Sequence, residues 1–208
     1  MTTIDDIMDA GPVIAVLEVQ RAEDAAEIAG ALSRGGLKVI EITLRTAAAL
    51  DVIREMSKIP DVIIGAGTVL TPDHLKAALD AGARYIVSPG LTERVAEAAK
   101  SAGVPFLPGV ATAGEIMRGL DMGLSRFKFF PAETSGGVAA VAAFAGPFRD
   151  VRFCPTGGIG SDIAPKYLHL PNVACVGGSW VAPKDAVADR DWARIETVAR
   201  NTSHMHRG

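Results

Sequence analysis

The chain has 208 residues, 49% of them hydrophobic and 22% charged, and carries a formal net charge of −3 at pH 7. That length suits a single well-packed domain over residues 1–208, and no shift in composition marks a boundary within it. The charge balance excludes a basic field for nucleic acid or an anionic membrane, and no run is apolar for long enough to span a bilayer.

Met1 to Asp9 lacks the basic and apolar regions of a secretory signal, which predicts a cytoplasmic protein. Thr3 opens a short capped helix that ends before Gly11, and Val13 to Val19 reads as the first strand. Arg21 to Arg34 is alanine-rich with apolar residues at helical spacing, stops at Gly35 and Gly36, and leads into a second strand from Val39 to Arg45. Further strand-like runs begin near Val62, Tyr85, Pro105, Phe127, Val151 and Ala174. The eight starts are spaced by 20 to 26 residues, so each gap has room for one helix.

Helix signals fall in those gaps. Thr71 and Pro72 open a helix closed by Gly82, Thr92 opens one before Gly103, and Thr112 with Glu115 forms a capping-box pattern ending at Gly123. Crossovers of this length require parallel strands, and eight units without extra segments predict a closed (β/α)₈ TIM barrel, an α/β fold, with a short N-terminal helix. An open doubly wound sheet is the alternative. Its dinucleotide form needs a glycine-rich turn after the first strand, where this chain has Glu18 to Glu23. The polar tail from Asn201 to Gly208 reads as frayed.

Candidate chemistry lies at the strand ends. In Phe127-Lys128-Phe129-Phe130-Pro131 the alternation of a strand puts Lys128 on one face with Phe130 and the other two phenylalanines opposite. Burial disfavours an ammonium and favours the free amine, one recognised route to a Schiff-base lysine. The competing account is a strand-end lysine whose stem packs on apolar surface while its head reaches water.

In the second strand Glu41, Thr43 and Arg45 share one parity, and Ile40, Ile42 and Leu44 the other. The outer face of a barrel packs on helices, so the polar set points inward, where aliphatic side chains are the rule. Such violations are expected at functional sites, although a purely structural Glu41–Arg45 pair is the competing account. Arg45 stands at the active end of its strand, with a fork suited to a carboxylate.

Gly65 to Val69 and Ser88 to Gly90 are small-residue strand ends that admit a ligand, or equally make tight turns. Pro155 to Gly160 and Gly177 to Trp180 place glycine pairs after the seventh and eighth strands, a frequent phosphate site in barrels, and Ser179 adds a hydroxyl there. His74, His169, His204 and His206 are scattered, so neither metal nor cofactor is expected. Cys154 and Cys175, both in apolar runs, read as reduced and packed. A lysine, a glutamate, an arginine and a phosphate grip fit carbonyl chemistry on a phosphorylated 2-oxo acid.

Six segments, 39–46, 65–70, 88–92, 126–133, 152–159 and 176–180, closely resemble the bacterial 2-keto-3-deoxy-6-phosphogluconate aldolases, over about residues 10–185. The resemblance implies a class I aldolase without a metal, with Lys128 forming the Schiff base and Glu41 as general acid/base. It further implies Arg45, Thr68 and the backbone near Pro89 as pyruvate-binding groups, and Thr156 as an influence on which face of the aldehyde reacts. Gly157, Gly158, Gly178 and Ser179 would hold the phosphate. The family implies a homotrimer and activity on 4-hydroxy-2-oxoglutarate as well. Glu18, after the first strand, reads as facing outward; if it pointed into the mouth it would bias substrate choice. A barrel that only binds a sugar phosphate is the competing function, against which the inward Lys128 and Glu41 argue.

Overall fold

The computed structural model describes residues 2–206. Helix α1 (Ile4–Asp9) precedes the first strand, and its capping box is complete: the Thr3 side chain accepts from Asp6 N–H, and the Thr3 N–H donates to Asp6 at 2.7 Å. Strand and helix then alternate through β1 (Val13–Leu17), α2 (Ala25–Arg34), β2 (Val39–Thr43), α3 (Ala49–Met56), β3 (Ile63–Gly67), α4 (Pro72–Asp80), β4 (Tyr85–Ser88) and α5 (Glu93–Ala102). They continue through β5 (Phe106–Val110), α6 (Ala113–Asp121), β6 (Arg126–Phe129), α7 (Gly137–Phe144), β7 (Arg152–Pro155), α8 (Ala164–Leu168) and β8 (Val176–Gly178). The expected threonines cap α4, α5 and α6.

All strand pairs are parallel, in the order β7-β6-β5-β4-β3-β2-β1-β8. The seam between β7 and β8 closes through the bridges Phe153 to Val173 and Thr156 to Gly177. The result is a (β/α)₈ barrel. Outward residues such as Ile40, Ile42, Phe127, Phe129 and Phe153 join the large core between barrel and helices. A second cluster inside the barrel holds Ile14, Val39, Tyr85, Val87, Leu107, Cys154 and Cys175 together with Ile7 and Met8 of α1. Helix α1 therefore stoppers the floor, and ion pairs from Arg126 to Asp5 and from Arg152 to Asp9 tie it to the starts of β6 and β7.

Three features differ from the sequence expectation. Strand β2 ends at Thr43 because the chain turns there: Arg45 N–H donates to Thr43 O at 2.8 Å, which lifts Arg45 above the barrel rim. Two helices follow β8, α9 (Lys184–Ala188) and α10 (Trp192–Ser203), where a unit without extra segments was expected. The tail is ordered through α10, with Thr202 buried and accepting from Trp180 Nε1 at 3.3 Å, and with Ser203 Oγ donating to Gly35 O at 2.9 Å. Of the tail read as frayed, Arg207 and Gly208 lie outside the described residues.

Candidate active site

Strands β2 and β6 stand on opposite sides of the barrel, and their inward residues meet. Lys128 Nζ lies 3.0 Å from Glu41 Oε1 and 3.3 Å from Oε2, with side-chain exposures of 7% and 3%. Both charges are thus taken from water, which is tolerable only with close pairing. The contact crosses the barrel because the residues flanking it are small. Gly109 is in register with Lys128 on β5, Gly65 with Glu41 on β3, and a Cβ on Gly67 would sit 2.1 Å from Glu41 Oε1. Phe130 completes the setting, its ring centroid 5.4 Å from Lys128 Nζ.

Beneath this pair the Tyr85 ring packs on Gly65, and burial, then the Glu41 charge, push its hydroxyl well above the ordinary phenol range. The Glu41–Arg45 pair considered from sequence does not form. Glu41 bonds Lys128 instead, while the exposed Arg45 donates through Nε to Thr68 Oγ1 at 3.2 Å. Thr68 adopts φ +58°, a left-handed backbone that is strained for a β-branched residue, and it presents its hydroxyl at the rim.

A cavity of about 860 Å³ opens over the C-terminal ends of the strands. Lys128, Arg45, Thr156, Gly157, Gly158 and Ser179 all line it. Glu41 lies just behind Lys128; Thr68 and Pro89 stand outside the lining, and Gly178 is covered by Trp180, whose ring a Cβ there would meet at 2.1 Å. Gly157 and Gly158 have φ of +105° and +81°, a conformation that suits glycine and turns successive peptide groups within the loop. Thr156 Oγ1 donates to Cys154 O at 3.3 Å.

Glu18, one residue past the end of β1, is exposed to solvent, accepts from Gln20 Nε2 at 3.4 Å, and stands at the edge of the cavity beside both of its chain neighbours. Further polar lining residues were given no role in the sequence reading. Thr43 donates to Leu17 O at 3.2 Å, and its inward parity was legible. Arg21, just ahead of α2, and Lys184, the first residue of α9, add two cationic residues to the lining. Arg21 is held at 2.7 Å by the buried carboxylate of Asp24, which also pairs with Arg190 at 3.1 Å. Among the described residues, no group of three or more His, Cys, Asp or Glu is placed to hold a metal ion.

An amine within hydrogen-bond reach of a carboxylate, at the bottom of a cavity rimmed by an arginine and by glycine loops, is suited to attack on a carbonyl with proton transfer. The sequence profile of the KDPG and KHG aldolase family matches residues 4–198. The KHG/KDPG aldolase of Escherichia coli K12 is 49% identical over 200 residues, covering 96% of this chain and 94% of that protein. The structure of the 2-keto-3-deoxy-6-phosphogluconate aldolase of Zymomonas mobilis ZM4 with 3-phosphoglycerate superposes with a TM-score of 0.96, at 48% identity, over 100% of this chain and 98% of that one. The KDPG aldolase of Legionella pneumophila, with pyruvate captured as a covalent carbinolamine, superposes with a TM-score of 0.94, at 44% identity, over 97% and 98%.

Proposed function

The chain belongs to the KDPG and KHG aldolase family, and on that premise we propose that it is a class I aldolase. It cleaves 2-keto-3-deoxy-6-phosphogluconate to pyruvate and glyceraldehyde 3-phosphate, and 4-hydroxy-2-oxoglutarate to pyruvate and glyoxylate. The buried Lys128–Glu41 contact carries this reading, because a barrel that only bound a sugar phosphate would gain nothing from an isolated amine and carboxylate facing each other across its interior.

Lys128 Nζ, its proton passed to Glu41, attacks the ketone carbon of the substrate. Glu41 returns a proton to the resulting alkoxide, and water leaves as the iminium forms. The same carboxylate takes the proton of the C4 hydroxyl; the C3–C4 bond breaks, and its electron pair flows toward the iminium nitrogen. The aldehyde departs and leaves an enamine, which is protonated at C3. Water then adds to the regenerated iminium and releases pyruvate and the free amine.

Arg45 pairs with the carboxylate of the 2-oxo acid, steadied by Thr68 Oγ1. Thr156 stands beside the breaking bond. Gly157, Gly158 and Ser179 grip the phosphate, with Arg21 and Lys184 drawing the anion toward them. The proposal extends to a homotrimer in the cytoplasm. The exposed Met117 and Leu120, neighbours on α6, are compatible with a buried subunit contact, and sedimentation tests the assembly state.

Pyruvate release from the phosphorylated and unphosphorylated acids, assayed side by side, tests the function. The proposal expects turnover of both, with the phosphorylated acid preferred. Absence of pyruvate from either would leave the non-catalytic barrel as the better account.

A further inference from the structure

The turn after β6 and the loop after β7 are stitched together by backbone. Ala132 N–H donates to Thr156 O at 2.8 Å, and Glu133 N–H donates to Gly157 O at 3.1 Å. The Glu133 stem lies directly against Gly158, where a Cβ would fall 2.9 Å from both Glu133 Cβ and Cγ. A carboxylate is thus rooted under the loop proposed to bind a phosphate dianion, a placement that would repel the ligand if the side chain swung into the cavity.

It does not swing there. Tyr167 of α8, whose side chain is buried, donates its hydroxyl to Glu133 Oε1 at 2.5 Å. This holds the carboxylate at the N-terminal end of α7, where a Cβ on Gly137 would be 3.5 Å from the same oxygen. Glu133 accordingly does not line the cavity that Gly157 and Gly158 line. Helix α8 also begins where that loop ends, with Ala164 N–H donating to Gly160 O at 2.9 Å. The Tyr167–Glu133 bond therefore joins the two supports on which the loop rests.

We propose that Glu133 and Tyr167 are a positioning pair for the anion site: the Tyr167 hydroxyl restrains a carboxylate that would otherwise oppose the substrate's phosphate, and so sets selectivity for phosphorylated over unphosphorylated aldols. This rests on the assignment of Gly157 and Gly158 to phosphate. Tyr167→Phe keeps the ring and removes the restraint. It should raise KM for the phosphorylated acid by roughly fivefold or more, leave its kcat within about twofold, and leave kcat/KM for 4-hydroxy-2-oxoglutarate unchanged. Adding Glu133→Gln to Tyr167→Phe removes the charge and should return KM toward the wild-type value, a recovery that a merely structural bond would not show.

Inorganic phosphate, as a competitive inhibitor, separates the two levels of the argument. If phosphate fails to compete in the wild type, the loop assignment falls and the pair's role with it. If it competes equally well in Tyr167→Phe, or if that variant loses activity on both substrates equally without recovery in the double variant, the positioning role alone is overturned.

Discussion

Lys128 and Glu41, 87 positions apart in sequence, place their charged ends 3.0 Å apart inside the barrel, with almost no access to water. This separation is short enough for direct proton transfer without an intervening solvent molecule, and neither group has another side-chain partner at comparable distance among the described residues. Glu41→Gln preserves the shape and ends the transfer. General acid–base contributions are typically about 10² to 10⁴ in rate, so kcat should fall by that much on both substrates. A loss below roughly tenfold would mean that another group moves the protons.

The same pair should register in stability. Removing one member of a buried ion pair leaves a charge without compensation, at a cost of about 3–5 kcal/mol, whereas replacing both with apolar residues of similar volume is often neutral. Denaturant unfolding of Glu41→Leu should show that loss, and Lys128→Met combined with Glu41→Leu should recover most of it.

Gly67 has a role that its local sequence does not declare. Because a Cβ there would lie 2.1 Å from Glu41 Oε1, Gly67→Ala must displace the carboxylate, the movable partner in that contact. Activity should drop at least roughly tenfold while the thermal transition stays cooperative, since about 1 Å of misplacement can cost on the order of 100-fold. Unchanged kcat would show that the carboxylate tolerates relocation.

Ser179 should distinguish the two proposed substrates. Hydrogen bonds to charged groups contribute about 1.5–3 kcal/mol, so Ser179→Ala should lower kcat/KM for the phosphorylated acid by roughly tenfold or more. Activity on 4-hydroxy-2-oxoglutarate, which carries no phosphate, should change little. Equal losses would make this loop a support of the barrel.

The capping box of α6 carries a pH signature. Burial alone would raise the Glu115 pKa, but hydrogen bonds from Ala111 N–H and from the Thr112 hydroxyl and N–H outweigh it and hold the carboxyl below its ordinary value. A depressed folded-state pKa gives stability that is present above the unfolded pKa, near 4.3, and lost as pH falls through the folded one. The Tm difference between wild type and Glu115→Gln should therefore narrow at acid pH; a constant difference would assign the effect to packing.

Periodicity and capping were legible because they are local: Thr71, Thr92 and Thr112 act within three residues of themselves, and the parity of Glu41 and Lys128 follows from a two-residue repeat. Their meeting was not legible, because nothing in either strand states that the other stands opposite. Arg45 shows the limit of parity. A turn at Thr43 removed it from the strand and from Glu41 while leaving it in the lining of the cavity. Glu18 likewise lies past the last residue of β1, where the two-residue repeat no longer fixes a face. The ordered tail depends on long-range contacts of Thr202 and Ser203 that a polar local sequence conceals.

Reduction with borohydride in the presence of pyruvate tests the account most directly, because a Schiff base becomes a stable secondary amine that mass mapping can locate. The account predicts a single adduct, on Lys128, absent from Lys128→Arg, whose guanidinium cannot serve as that nucleophile. An adduct on Lys38 or Lys166, or no adduct on any lysine, would contradict it.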